Sequence, residues 1–449
     1  MNITRDLCDY LAGLTADRLD QDLLEDIRYK TLDWLGCVTG ALDKKSSRAV
    51  LEMARESGGN LQCSAFGLPE KTSMFTAAFS NGVLGHTLEY DDVNKIAITH
   101  PGAIAVPAAL AAAEYCGADF ERYTLGVTAG YEVMIRLGAA LNPSHYDYWH
   151  TTGTCGAFAA AAAAGTVMGF DGEKLSRALG IAGTMASGLV CVFGTDAKLV
   201  NVGNAVSNGL KAAVLAGKGF TVPDDVIERE GGYARAVSQT RNFKYLCPQD
   251  GDELRIRDSY YKIHAACGHT HSALDALQKI RKAQDFSWDQ VESVSVHAYK
   301  KAVELTGTFH CETELKAKFS MPYCIAAMLV YGEAGLMQFT EEVRSDPRIH
   351  GLKHRIKVEE DISYTEEYPI LRIERLSVIL KDGRKWEEEV ELPEGKPPRE
   401  YIRAKFLSLA GLTIDRDRAA RIMEQVLSLT MESPMNRLGD GLRGELNGG

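Results

Sequence analysis

Through the first half of the chain, apolar residues recur at three- and four-residue spacings, the signature of helices with one buried face. Leu7, Tyr10, Leu11 and Leu14 make one such stripe, and Leu24, Ile27, Leu32 and Leu35 make another. The stretches 123–141 (YTLGVTAGYEVMIRLGAAL) and 204–220 (NAVSNGLKAAVLAGKGF) repeat the pattern with small residues at many contact positions, which predicts closely packed helices. Gly117, Gly169 and Gly219 fall where these helices are expected to stop, because glycine accepts the left-handed backbone of a helix end. The period changes after about residue 265. Residues 291–299 (VESVSVHAY) alternate like a strand, and 371–392 (LRIERLSVILKDGRKWEEEVEL) read as two strands joined at Asp382-Gly383. An apolar helical stretch, 320–332, lies between them, and helical spacing returns after Pro398. The pattern predicts a mainly α protein: an all-helical domain over residues 1–266, a smaller α+β domain over 267–400, and C-terminal helices over 401–449 that return to the helical domain.

Composition changes this picture little. A chain of 449 residues buries a large core. Fifty basic against sixty-one acidic residues give a net charge of -11, which argues against nucleic acid or an anionic membrane as partner. A small anionic substrate therefore needs its own local lysines and histidines. Residues 151–170 and 178–195 carry no charge, yet they are rich in Ala, Gly and Thr rather than Leu, Ile and Phe. Helices buried in a large domain are expected there, not membrane spans. The N-terminus carries acids and no apolar run, so no signal peptide is expected. The ten cysteines are scattered without a C-x-x-C pair, which predicts reduced thiols in a cytoplasmic protein.

Common chemical signatures are missing: no G-x-G-x-x-G follows a strand, and no phosphate-binding loop or G-x-S-x-G elbow occurs. In CGHTH (267–271), helical geometry would point Cys267, His269 and His271 in different directions, so no metal is expected. Four polar clusters remain. Residues 86–103 (HTLEYDDVNKIAITHPGA) place Glu89, Asp91 and Asp92 between His86 and His100, immediately before an alanine-rich run. Crowded, partly buried carboxylates raise the pKa of at least one of them, which suits proton transfer; helix capping is the other reading. Residues 145–156 (HYDYWHTTGTCG) bring His145, Tyr146, His150 and Thr151 to the start of a buried helix, where free N–H groups favour an anion or are simply capped. Lys198 stands between two nearly uncharged helices. Lys262, His264, Cys267, His269 and His271 cluster at the change of period.

Taken in order, six segments resemble the MmgE/PrpD family, which includes 2-methylcitrate dehydratase, cis-aconitate decarboxylase and iminodisuccinate epimerase. They are TLDWLGCVTG (31–40), NGVLGHTLEYDD (81–92), HPGAIAVPAALAAAE (100–114), HTTGTCGAFAAAAAAG (150–165), KLVNVGNAVSNGLKAAVLAGKGF (198–220) and KIHAACGHTHSALDAL (262–277). The resemblance implies a helical domain and an α+β lid domain, a homodimer, and no metal or organic cofactor. It places the family's acidic motif on residues 88–92, its histidines on His100 and His150, and its lysines on Lys198 and Lys262. Glu89 stands where cis-aconitate decarboxylases carry aspartate, and Cys267 where they carry histidine. The implied function is a cofactor-independent lyase, a dehydratase or decarboxylase, acting on a small anionic polycarboxylate. Glu89, Asp91, Asp92, His100, His150, Lys198, Lys262 and Cys267 are its catalytic candidates. Tyr146, Thr151 and His269, with the two lysines, are expected to bind substrate. The alternatives are an epimerase of an iminodisuccinate-like diacid and a non-catalytic dimeric binding protein of the same fold.

Overall fold

The structure, a computed structural model, describes residues 2–249, 251–392 and 396–443. Helices of ten residues or more are numbered in chain order. They are α1 (Ile3–Ala12), α2 (Gln21–Ala41), α3 (Lys45–Ser57), α4 (Met74–His86), α5 (Gly102–Cys116), α6 (Phe120–Leu141), α7 (Thr151–Val167), α8 (Gly172–Met185), α9 (Ala197–Gly217), α10 (His271–Ala283), α11 (Met321–Tyr331), α12 (Arg399–Ala410) and α13 (Arg416–Leu427). Among the described residues, those up to 192, those in 197–261 and those from 397 onward form one compact unit, and those in 193–196 and 262–396 form the other. The chain pattern puts its boundaries after residues 266 and 400; the units change over after Tyr261 and Lys396. The mainly α fold with a smaller α+β part is as the periodicity predicts.

In the first unit α7 is packed on all sides, by α5, α6, α8 and α9. Its residues 151–165 are buried without interruption, which explains why the sequence shows no polar face there. Small residues make this packing possible: a Cβ on Gly209 of α9 would stand 2.4 Å from the Ala160 Cβ of α7. Several helix starts are capped by an aspartate, as Asp20, Asp119 and Asp171 accept the amides of Leu23, Arg122 and Lys174. Gly117, Gly169 and Gly219 adopt positive φ just past α5, α7 and α9, the role expected of them. The tail helices α12 and α13 pack back on α2. The all-helical expectation needs one correction. Cys63–Ser64 (β1) and Lys71–Thr72 (β2) pair antiparallel, in strands too short for alternation to register in the sequence. Among the described residues no helix is long and apolar enough to cross a membrane.

The second unit is built on a four-stranded sheet of β3 (Val291–Ala298), β4 (Ile356–Glu360), β5 (Ile373–Leu380) and β6 (Lys385–Glu391) in the order β4-β3-β5-β6. β3 runs parallel to β4 and antiparallel to β5, and β5 and β6 form the hairpin expected at Asp382-Gly383, where Gly383 takes φ 88°. β6 is an edge strand whose exposed positions carry Lys385, Glu387, Glu389 and Glu391, charges that oppose pairing with another chain. Helix α10 lies against β5 and β6. Glu374 of β5 accepts the Ala273 amide in the first turn of α10 at 2.7 Å, and burial pushes its carboxyl up to about 8. The folded state therefore holds a proton that the unfolded chain releases near pH 4. Stability should fall as pH rises from about 4 to about 8 and level off above that. In Glu374→Gln this part of the slope should vanish, which thermal unfolding of both proteins across that range would check.

Candidate active site

The acidic loop starts where α4 ends. His86 closes that helix, its carbonyl accepts the Glu89 amide at 3.1 Å, and Glu89 turns the chain with φ 54°. A non-glycine residue in this left-handed region costs about 1–2 kcal/mol, so surrounding contacts must hold it. Glu89, Asp91 and Asp92 are all buried, and each meets different partners. Glu89 forms an ion pair with Lys198, which α9 supplies close to its N-terminus. Asp91 Oδ2 lies 2.9 Å from His86 Nδ1 and 3.2 Å from His100 Nδ1. Asp92 accepts the Gly102 amide at 2.7 Å and the Tyr131 hydroxyl at 2.6 Å, with Lys30 Nζ 3.6 Å away. Only glycine fits at the start of α5, because a Cβ on Gly102 would stand 2.6 Å from Asp92 Oδ1.

The histidines sit around this loop. His86 and His100 meet edge to face with ring centroids 4.7 Å apart, and the His150 ring is 5.9 Å from His86. His86 Nδ1 faces a carboxylate and therefore donates. Its Nε2 lies 3.0 Å from Lys198 Nζ, so the imidazole links the ammonium to Asp91. Asn201 Nδ2 lies 3.3 Å from His150 Nδ1, an arrangement that puts the His150 ring proton on Nε2. The His100 amide is fixed by Thr152 Oγ1 at 3.2 Å.

These surroundings sort the charges. Burial alone would raise Asp91, but His86 and His100 outweigh it and hold the carboxyl well below the usual range. Burial raises Asp92 against the pull of Lys30, Tyr131 and the Gly102 amide; the nearby Asp91 adds a smaller upward push. The effect expected from crowding thus falls on Asp92, with desolvation rather than repulsion as its main cause. Burial, and then Lys198, keep His150 well below its ordinary value, so it is neutral near pH 7 and donates through Nε2. One oxygen of Asp91, Oδ1, is buried and has no hydrogen-bond partner among the described residues.

The loop acids, His100, His150 and Lys198 are thus brought together within the first unit. Tyr146 and Thr151 are buried nearby in sequence, Thr151 Oγ1 standing 3.5 Å from Asn142. His145 has a structural place: it meets Thr154 Oγ1 at 2.8 Å and the Val237 carbonyl at 3.2 Å. Lys262, Cys267 and His269 belong to the second unit and are buried there. The CGHTH segment is not a continuous α-helix, since Gly268–Thr270 form a 3-10 turn before α10. His269 meets the Tyr299 hydroxyl at 2.6 Å, while His271 Nε2 lies 3.2 Å from the Ala266 carbonyl and His264 pairs with Asp275 at 2.9 Å. These histidines are committed to separate partners.

His86 is the residue that the pattern of acids and histidines brackets without assigning; five positions before Asp91 and at a helix end, it had a local signal. Asn201, Lys30 and Tyr131 have none, because each reaches the loop from a distant helix. His86, Glu89 and His100 also offer three ligand atoms within 4.8 Å of one another. Lys198 already donates to both Glu89 and His86, so a metal cation there would have to displace an ammonium.

Residues 5–246 match the MmgE/PrpD N-terminal domain and residues 264–429 the MmgE/PrpD C-terminal domain. The chain belongs to the MmgE/PrpD family. Its similarity to cis-aconitate decarboxylase of Aspergillus terreus (strain NIH 2624 / FGSC A1156) is 26% identity over 95% of this chain and 93% of that protein. To cis-aconitate decarboxylase of Homo sapiens it is 24% over 95% and 91%. A mitochondrial 2-methylcitrate dehydratase of Yarrowia lipolytica is 24% identical over 44% of this chain and 40% of its own length. Within this MmgE/PrpD chain, the buried loop 86–92 and its imidazole and lysine partners lie in the N-terminal match, and Lys262 falls just before the C-terminal one.

Proposed function

We propose that this MmgE/PrpD protein is a lyase that moves a proton at a carbon beside a carboxylate of a small di- or tricarboxylate, without metal or organic cofactor. The observation that carries this is Asp91 held between two imidazoles, with Lys198 on the far nitrogen of one of them. That arrangement supplies a fixed tautomer, a proton carrier and a cation in one buried place. The decarboxylase and dehydratase names of its relatives support the same class of chemistry.

In this reading His100, its Nδ1 turned toward Asp91 at 3.2 Å, presents the lone pair of Nε2 as base or, once protonated, acts as acid. The neutral His150 donates from Nε2, and Lys198 offsets charge building on the carboxylate. Lys262 is assigned as the second cation and Cys267 as a further catalytic group, with His269, Tyr146 and Thr151 as substrate contacts. In a decarboxylation the C–C bond to the leaving CO₂ breaks, its electron pair passes into the conjugated carboxylate system, and an imidazolium returns a proton to carbon. In a dehydration the base removes the carbon proton, that pair forms the double bond, and the hydroxyl leaves as water with a proton from the acid. Both steps place negative charge on the carboxylate beside the reacting carbon, where an ammonium matters most.

The test is proton NMR in D₂O with methylcitrate, citrate, cis-aconitate and the stereoisomers of iminodisuccinate. A new alkene from a hydroxy acid, or loss of CO₂, is the expected result. Deuterium entering beside a carboxylate with only a stereochemical change would replace the lyase by an epimerase. Binding without any exchange would leave a non-catalytic protein of this fold.

A further inference from the structure

The left-handed turn at Glu89 has a support that the chemistry above does not use. The Tyr90 carbonyl accepts a hydrogen bond of 2.6 Å from Lys405 Nζ, a residue 315 positions away in the chain on α12. The same ammonium lies 2.8 Å from Asp33 Oδ1 of α2 and 3.9 Å from the centroid of the Tyr90 ring. Tyr401, one turn earlier on α12, meets the Tyr90 hydroxyl at 3.2 Å. Lys405 and Asp33 are both buried, at 6% and 3% exposure. Two charges taken out of water cost several kcal/mol each unless their geometry is good. An ion pair that only joined α12 to α2 would have no need of a main-chain carbonyl. The carbonyl it binds belongs to the peptide between Tyr90 and Asp91, one residue after the backbone whose φ is unfavourable and directly before the carboxylate that faces both imidazoles.

We infer that Lys405, held by Asp33, is a positioning residue: it clamps the Tyr90–Asp91 peptide and so keeps Glu89 on Lys198 and Asp91 between His86 and His100. The inference deepens the lyase reading and rests on it for the kinetic consequence only; the geometric consequence stands apart. A catalytic group displaced by about 1 Å loses up to about 100-fold in rate, so clamping this peptide matters to turnover.

The test uses the full chain with Lys405→Met combined with Asp33→Asn, which removes the clamp without leaving a buried charge unpaired. Histidine-labelled protein is examined by NMR beside thermal unfolding and steady-state kinetics. Cooperative unfolding is expected to persist. The ring signals of His86 and His100 should shift, while those of the exposed His310 and His354 stay in place. On a substrate that wild type turns over, kcat should fall about 10- to 100-fold with KM changed less than about threefold. Unmoved His86 and His100 signals in a folded variant would overturn the inference, even if wild type is silent on every polycarboxylate tried. A drop in activity that merely follows the unfolded fraction would overturn it too. Should the double variant not fold, Lys405→Gln takes its place: it keeps a polar partner for Asp33 but loses the ammonium, and the same two ring signals decide.

Discussion

Lys198→Met is expected to lower turnover of the best polycarboxylate by about 10²–10³-fold, the usual cost of removing a group that stabilises charge only as the reaction proceeds. The substitution keeps the apolar stem and the space it fills. It removes the ammonium that pairs with Glu89 and donates to His86 Nε2 at 3.0 Å. Two effects follow and must be separated. Glu89 would remain as a buried carboxylate without its counter-charge, and breaking a buried pair in this way costs about 3–5 kcal/mol of stability. A loss of activity in Lys198→Met alone would therefore be ambiguous. In Glu89→Gln combined with Lys198→Met, the carboxylate is neutralised together with the lysine. Thermal unfolding should return toward wild type in that double variant, whereas kcat should stay low. Wild-type turnover in folded Lys198→Met would remove the cation from the proposed chemistry. Recovery of turnover in the double variant would show that Lys198 serves only to neutralise Glu89.

Much of the fold could be read from the chain because one-sided burial leaves a period. The stripe of Leu7 and Leu11 is the inner face of α1, whereas in α2 residues 29–41 are buried without interruption. Helices buried on every side leave none, and α7 is recognisable only by the lack of charge over a long alanine-rich run. β1 and β2 escaped because two-residue strands cannot alternate. The site divides in the same way. Glu89, Asp91 and His100 lie close enough in sequence to be seen as a group, and Lys198 stands out as a charge in uncharged surroundings. Lys30, Tyr131 and Lys405 look ordinary in the chain, since what they do depends on which distant loop their helix faces. In the chain Lys30 looks like any snorkelling lysine, yet it is buried at 2% exposure, with Ser259 Oγ 2.6 Å from its Nζ and the rings of Tyr131 and Tyr261 around it. His86 shows the limit most clearly: its proximity to the acids was visible, but its link from Asp91 to Lys198 requires α9 to be in place.

Asp91→Asn should cost more than the loss of Lys198, about 10³–10⁴-fold in turnover, because it changes how one of the two imidazoles facing it is protonated. Asp91 Oδ2 takes the His86 Nδ1 hydrogen bond at 2.9 Å and stands 3.2 Å from His100 Nδ1, so one oxygen faces both rings. An amide of the same shape offers one oxygen and one NH₂. It can accept from one ring, but toward the other it must donate or turn away, and the proton of that ring then moves to Nε2. If the ring affected is His100, the lone pair proposed as base disappears from the side away from Asp91. If it is His86, Nε2 can no longer accept from Lys198. Either outcome disables one of the two arrangements on which the proposed chemistry depends. The substitution also has an equilibrium signature that needs no substrate. The folded Asp91 carboxyl is held well below its usual value, so its contribution to stability is present above the unfolded value near pH 4 and is lost as pH falls through the folded one. Wild type should be the more stable protein at neutral pH, and the gap to Asp91→Asn should close only in acid below about pH 4. Denaturant unfolding of the two proteins from pH 7 down to pH 3 would measure it. A gap that stayed constant across that range would mean that Asp91 gains nothing from its two histidines, and the tautomer argument for its role would fall with it.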